Sequence, residues 1–203
     1  MQNNIPTIVF LLEEFSAKAF LETFLFRAFP SLSRCTVQFV VFEGKRDLDT
    51  KLERRLKHWQ LPNSYFIVVR DRDSDDCVQL KQRLLEKVQR AGRLPNTVVR
   101  IACAELESWF LGELIAVEEA LDVRNLSRRQ SRAKYRNPDA LMSPSSELIK
   151  VSRERYQKVS GSRALGGRLS SSASKNTSHS FGVFLAGISR LISGIPELQE
   201  SSS

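Results

Sequence analysis

The chain has little from which to build a disulfide framework or a zinc site. Its 203 residues include three cysteines and two histidines. Cys35, Cys77 and Cys103 form an odd set with no CxxC pair. That argues for reduced thiols packed in a core, in a cytosolic setting. His58 and His179 alone do not supply a zinc ligand set. No apolar stretch reaches the length of a membrane span. The first apolar run has no basic segment before it and no small-residue cleavage site after it. A cytoplasmic protein without a membrane partner is therefore expected. No GxxxxGK[ST] occurs, which excludes a P-loop ATPase. No GxSxG elbow accompanies Ser178-His179-Ser180, so a serine hydrolase is discounted. There is no internal repeat.

What is present is ordinary in amount. Hydrophobic residues make up 41% and charged residues 27%, as in a soluble globular protein. The length suits one α/β domain, or one domain with an appendage. The formal net charge of +8 favours phosphate-bearing polymers or anionic surfaces as partners. Simple solubility explains the same number equally well.

The hydrophobic pattern alternates between two periods. Ile5 to Leu12, Thr36 to Phe42, Tyr65 to Val69 and Thr97 to Cys103 read as strands. The near-continuous apolar run of the first fits a strand buried on both faces. Helices are expected over about Ala17 to Arg27 (with Ser16 as cap), Leu48 to His58, Val78 to Ala91 and Glu105 to Leu121. The order β-α-β-α-β-α-β-α argues for a mostly parallel central sheet flanked by helices. After Leu121 the character changes. Arg124 to Arg136 holds six basic residues and no acid. Helical patterning resumes around Ala140 to Gln157 and again at Phe181 to Ile192. Gly161 to Ser180 is rich in Ser and Gly, and Ser201 to Ser203 reads as a frayed tail. Residues 1–122 are expected to form the α/β domain. Residues 123–203 are expected to form a basic, partly helical extension packed on it.

Carboxylates cluster after three of the strands. Glu13-Glu14 follows the first, Asp71-Arg72-Asp73-Ser74-Asp75-Asp76 the third and Glu105-Leu106-Glu107 the fourth. Parallel neighbours would bring these acids to one sheet edge, where open α/β folds bind ligands. Clustered carboxylates repel one another unless a cation sits among them. Oxygen-only ligands suit Mg2+ or Mn2+. Each acid also has a plain structural role. Glu13, Glu14, Glu105 and Glu107 lie near helix N-termini, where the dipole favours them, and Asp75 or Asp76 can cap a helix. A cap needs one Asp, whereas four occur here within six residues. Asp71 and Asp73, two apart in an extended segment, would face one ion together. The sequence leaves open whether Glu13 or Glu14 points into the site. Trp109 and Phe110 read as core. Arg124, Arg128, Arg129, Arg132, Lys134 and Arg136, with Lys158, are candidate phosphate contacts, and Arg163 and Arg168 would extend that patch. Tyr135 among them could stack on a base. Gly166-Gly167 reads as loop.

An acid after strand one and an Asp-x-Asp after strand three, on a parallel sheet, resemble the TOPRIM domain of topoisomerases, bacterial primases and related nucleases. The chain is also similar to a bacterial TOPRIM-like family, domain of unknown function family 4276. Leu12-Glu13, Ser16 and Ala19-Phe20-Leu21 carry that likeness, with Asp71 to Cys77 and Ala104 to Gly112. Tyr156-x-Lys158 and Ser178 to Phe181 extend it. The resemblance implies a Rossmann-like TOPRIM fold and magnesium-dependent phosphodiester chemistry. By that likeness Glu13, Asp71 and Asp73 are catalytic. From their places after the strands, the expected metal ligands are Glu13, Asp71, Asp73 and Asp75, with Glu105 or Glu107 completing a second site. The resemblance also implies DNA as a partner and an ABC- or SMC-type ATPase as companion in an anti-phage system. A homo-oligomer is compatible with it. In TOPRIM domains glycine commonly follows the first glutamate, and here Glu14 stands there. The expected function is a metal-dependent nuclease or nuclease subunit acting on DNA. The alternative is a non-catalytic module that binds nucleic acid or docks an ATPase.

Overall fold

A computed structural model describes residues 5–199. The tail Ser201 to Ser203 lies outside the described residues. Four strands, β1 (Thr7–Leu12), β2 (Thr36–Val41), β3 (Ser64–Asp71) and β4 (Thr97–Ala102), form one sheet in the order β2-β1-β3-β4. Every pair is parallel. Leu12 stands opposite Val41 on one side and Val69 on the other, and Asp71 stands opposite Ala102. The chain runs outward from β1 to β2 and then returns to the far side of β1 for β3. The two connections therefore diverge between β1 and β3, which is where open α/β sheets form a ligand crevice.

Period-2 alternation divides the strands between two cores. Val9, Leu11, Phe66, Val68 and Val99 face helices α2 (Lys45–Lys57) and α3 (Cys77–Arg90). Leu48, Leu52 and Leu56 of α2 meet them at helical spacing, as do Leu80, Leu84 and Val88 of α3. The opposite face holds Ile8, Phe10, Leu12, Ile67, Val69 and Ala102. These pack against α1 (Phe15–Ala28), α4 (Glu107–Leu111) and α5 (Leu114–Ala120). The later helices α6 (Ala133–Arg136), α7 (Pro144–Val151), α8 (Lys158–Gly166) and α9 (His179–Ser193) add buried residues to this second core. Tyr135, Leu148, Tyr156, Leu165, Phe181 and Phe184 all belong to it. The elements after residue 122 thus share the core of the sheet.

Four local expectations change. The helix foreseen from Glu105 to Leu121 is two short helices broken at Gly112-Glu113. The late loop causes the break. Thr177 N–H donates to the Gly112 carbonyl at 2.9 Å, and a Cβ on Gly112 would meet Asn176 Oδ1 at 1.9 Å. The helical patterning from Ala140 to Gln157 is realised only as α7, ending before Arg153 and Glu154, both at positive φ. Part of the Ser/Gly-rich stretch is helix α8, with Gly166-Gly167 at its end. Gly166 lets α8 touch α1, because a Cβ there would lie 2.3 Å from the Phe20 carbonyl oxygen. Finally, Glu14 is the N-cap residue of α1, and Ser16 Oγ donates to the Glu14 carboxylate at 3.3 Å.

Candidate functional site

The acids do gather at the carboxyl edge of the sheet, but alternation sorts them onto its two sides. Residue 70 follows Phe66 and Val68 toward α2 and α3, while Asp71 follows Ile67 and Val69 toward α1 and α4.

On the α2/α3 side the centre is Arg70, whose side chain is only 1% exposed. A lone buried guanidinium is unfavourable, so it must be met by carboxylates. Its Nη1 donates to Glu13 Oε2 and to Asp73 Oδ2, both at 3.3 Å. Its Nη2 donates to Asp75 Oδ2 at 3.4 Å, and Nε and Nη2 donate to the two Asp49 oxygens at 3.4 Å. Asp73 is also held by Lys45 Nζ at 3.1 Å, and Asp75 by Arg83 at 3.1 Å. Asp73 reaches Arg70 because the chain leaves the extended conformation after Asp71, and Asp73 itself has φ +51°. The expectation that Asp71 and Asp73 face one ion together fails for that reason. Asp76, not Asp75, caps α3, accepting from the Val78 and Gln79 N–H groups.

On the α1/α4 side lie Asp71, Glu107 and Glu14. Burial, together with the Glu13 and Glu107 carboxylates, pushes the Asp71 carboxyl well above its usual range. The Leu106 N–H partly offsets this. Burial also raises Glu107, against the hydrogen bond it accepts from Tyr156. Tyr156 Oη donates to Glu107 Oε1 at 2.8 Å and lies 3.0 Å from Ser162 Oγ. Burial and the Glu107 charge push the Tyr156 phenol far upward, so it remains a proton donor. Lys158 Nζ meets Glu14 Oε2 at 2.5 Å. Its charge is also felt at Glu107, and against burial the Lys158 ammonium is raised by the Glu14 hydrogen bond and charge, then by Glu107 and Asp71. Glu13 bridges the two sides. It accepts the Asp71 N–H at 3.1 Å as well as Arg70, and burial raises its carboxyl. Glu105 points away and accepts the Ser145 N–H at 2.7 Å, at the start of α7.

A family profile described as Domain of unknown function (DUF4276) matches residues 12–189. The chain belongs to that DUF4276 family. No curated protein and no solved structure matches it. The stretch matched by the DUF4276 profile runs from the end of β1 into α9, so it takes in both sides of the carboxylate edge and the helix that supplies Lys158.

The remaining motifs of this DUF4276 member are mostly architectural. Trp109 and Phe110 are fully buried. Trp109 Nε1 donates to Ser180 Oγ at 2.9 Å, and Ser178 caps α9 through the Phe181 N–H. Asp139 ties Ser178 and Ser180 together, while His179 is exposed. Tyr135 is 1% exposed, and its hydroxyl donates to Glu147 at 2.6 Å. It is therefore not a base-stacking platform. Lys134 pairs with the same Glu147 at 2.6 Å. Arg124, Arg128, Arg129, Arg132 and Arg136 are exposed. Of the foreseen basic residues, Lys158 is the one whose ion pair lies at the carboxylate edge. Arg163 pairs with Glu22 at 3.2 Å and Arg168 is exposed. No helix of the described residues is long and apolar enough to cross a membrane.

Sequence reasoning missed Arg70 and Tyr156 as functional groups. The signal for Arg70 was a cation at the end of an apolar strand, beside four acids. Tyr156 stood out only through the Tyr156-x-Lys158 motif, and nothing pointed to its partner Glu107, which is far away in the chain.

Among the described residues no three carboxylate, thiol or imidazole groups form a ready-made ion cage. The donor chemistry of the α1/α4 side nevertheless fits a hard divalent cation. Asp71 and Glu107 are oxygen donors, the Glu107 charge adds to burial in raising Asp71, and a divalent ion relieves such repulsion.

Proposed function

We propose that this chain is a metal-dependent nuclease or nuclease subunit of TOPRIM type, hydrolysing phosphodiester bonds in DNA with Mg2+ or Mn2+. One observation carries the reading. Asp71 at the end of β3 and Glu107 at the start of α4 are both raised by burial, the Glu107 charge adds to the rise at Asp71, and Tyr156 and Lys158 contact Glu107 and Glu14. Perturbed acids in a crevice mark functional sites. A bound divalent ion would activate water and stabilise the leaving oxygen. Asp71 and Glu107, with Glu13, would hold it. Lys158, released from Glu14, would bind a phosphate oxygen, and the Tyr156 hydroxyl would fix the Glu107 carboxylate. The exposed Arg128, Arg129 and Arg132 would hold the DNA backbone. An ABC- or SMC-type ATPase is the proposed companion, in an anti-phage system.

The test is cleavage of DNA in Mg2+ or Mn2+, alone and with any ATPase encoded beside it. Asp71→Asn should lower cleavage by orders of magnitude while the fold persists. Equal cleavage by wild type and Asp71→Asn would end this reading.

A second reading is a non-catalytic module that binds nucleic acid or docks an ATPase. The observation in its favour is Arg70, which already pairs with Glu13, Asp73 and Asp75. A wild-type chain that binds DNA but neither Mg2+ nor Mn2+ would establish it.

A further inference from the structure

We propose that Arg70 is a permanent internal counter-ion that stands where a second divalent cation would otherwise be needed. The chain then takes one ion, on the Asp71 and Glu107 side, instead of two. The inference rests on the metal reading above and deepens it.

Glu13, Asp49, Asp73 and Asp75 each place an oxygen within 3.3–3.4 Å of one guanidinium. That guanidinium is 1% exposed. Arginine keeps its charge under all working conditions. A divalent ion entering the same place would have to displace a guanidinium that is itself buried. It would also have to break ion pairs to four carboxylates. Lys45 and Arg83 add further positive charge at Asp73 and Asp75. This side of the edge is thus closed to a metal by its own cations.

The other side differs. The cation near Asp71 and Glu107 is Lys158, which is exposed and pairs directly with Glu14. A flexible, exposed ammonium leaves its place at small expense, whereas a buried fork of five donors does not. The Asp71 carboxyl accepts a backbone N–H from Leu106, which leaves lone pairs for an ion. Glu13, shared between the sides, couples them. Its Oε2 already accepts from Arg70 and from the Asp71 N–H, which leaves the second oxygen for the ion. Position in the strand decides the division. Arg70 and Asp71 are consecutive in β3, and alternation sends them to opposite faces.

The experiment counts ions on the full chain, with Mn2+ alone as probe. Free Mn2+ is measured by electron paramagnetic resonance across a titration, with no DNA present. The expected result is one tight ion per chain. Asp71→Asn should weaken that ion at least tenfold, and Asp75→Asn should leave it within about threefold. Circular dichroism confirms that each variant is folded. Two ions of similar affinity on wild type would overturn the role of Arg70 while sparing the nuclease reading. A single ion lost in Asp75→Asn and kept in Asp71→Asn would also overturn it, by placing the metal on the guanidinium side. No bound Mn2+ at all would remove both this inference and the function on which it rests.

Discussion

Arg70 and Asp71 are neighbours in the chain and serve opposite faces of the sheet. Arg70 binds the carboxylates of Glu13, Asp49, Asp73 and Asp75. Asp71 turns toward Glu107 and α4, where its own charge is opposed. One peptide bond therefore separates a group of acids that share a guanidinium from an acid whose charge is opposed, and substitutions at the two positions should act in opposite directions on stability.

Arg70→Gln leaves four carboxylates without their shared cation. Breaking a buried pair by removing one partner costs about 3–5 kcal/mol. Three of the acids are about one-third exposed, so water offsets part of the loss. A destabilisation of about 2–3 kcal/mol is expected at pH 7. It should shrink at acid pH, where protonation removes the repulsion. Urea denaturation at both pH values measures it, and an equal loss at the two would show that packing, not charge, is at stake.

Asp71→Asn should stabilise the metal-free fold at neutral pH. The folded-state pKa of Asp71 is raised above its ordinary 3.8. The protonated form is therefore favoured on folding. Its contribution to stability is complete below 3.8 and is lost as pH rises through the raised value. Asparagine keeps the shape and an acceptor for the Leu106 N–H without the charge. A gain on the order of 1 kcal/mol is expected at pH 7, vanishing toward pH 4. Thermal melts in chelator across that range test the sign. A variant less stable than wild type at pH 7 contradicts it.

Gly166→Ala sets two known magnitudes against each other. Alanine in a helix gains about 1 kcal/mol over glycine. Here its Cβ would press on the Phe20 carbonyl oxygen at 2.3 Å and on Thr23 Oγ1 at 2.2 Å. Thr23 also donates to the Arg163 carbonyl at 2.8 Å, tying α1 to α8. Overpacking of this kind costs about 1–3 kcal/mol, and backbone is the unyielding partner. A net loss of about 1–2 kcal/mol is expected. Because α8 begins with Lys158, Mn2+ affinity should change along with stability. A stabilised variant would mean that the two helices are less closely fitted.

Charge reversal at Arg128, Arg129 and Arg132 should weaken DNA binding about equally for all sequences. These side chains are exposed, and their proposed partners are phosphates. The slope of log affinity against log salt should fall by about 0.9 for each phosphate that is no longer neutralised. Fluorescence anisotropy at several salt concentrations checks this. Unchanged affinity with an unchanged slope would make the segment a protein-docking surface.

The sequence by itself determined the four strands, their alternation with helices and hence a parallel sheet. It also placed Glu13, Asp71 and Glu107 at or just beyond strand ends. Those features depend on local periodicity and on handedness, which short stretches carry in full. Only the tertiary structure decided which acids share a centre. Asp49, from α2, and Glu13, from the end of β1, reach Arg70 across intervals of 21 and 57 residues. Tyr156 meets Glu107 across 49. The same holds for the break at Gly112, which is made by Asn176 and Thr177 from the far end of the chain. A buried charge takes whichever opposite charge the packing brings to it. The partners of Arg70 and Glu107 were fixed when the helices docked on the sheet, not by any pattern along the chain.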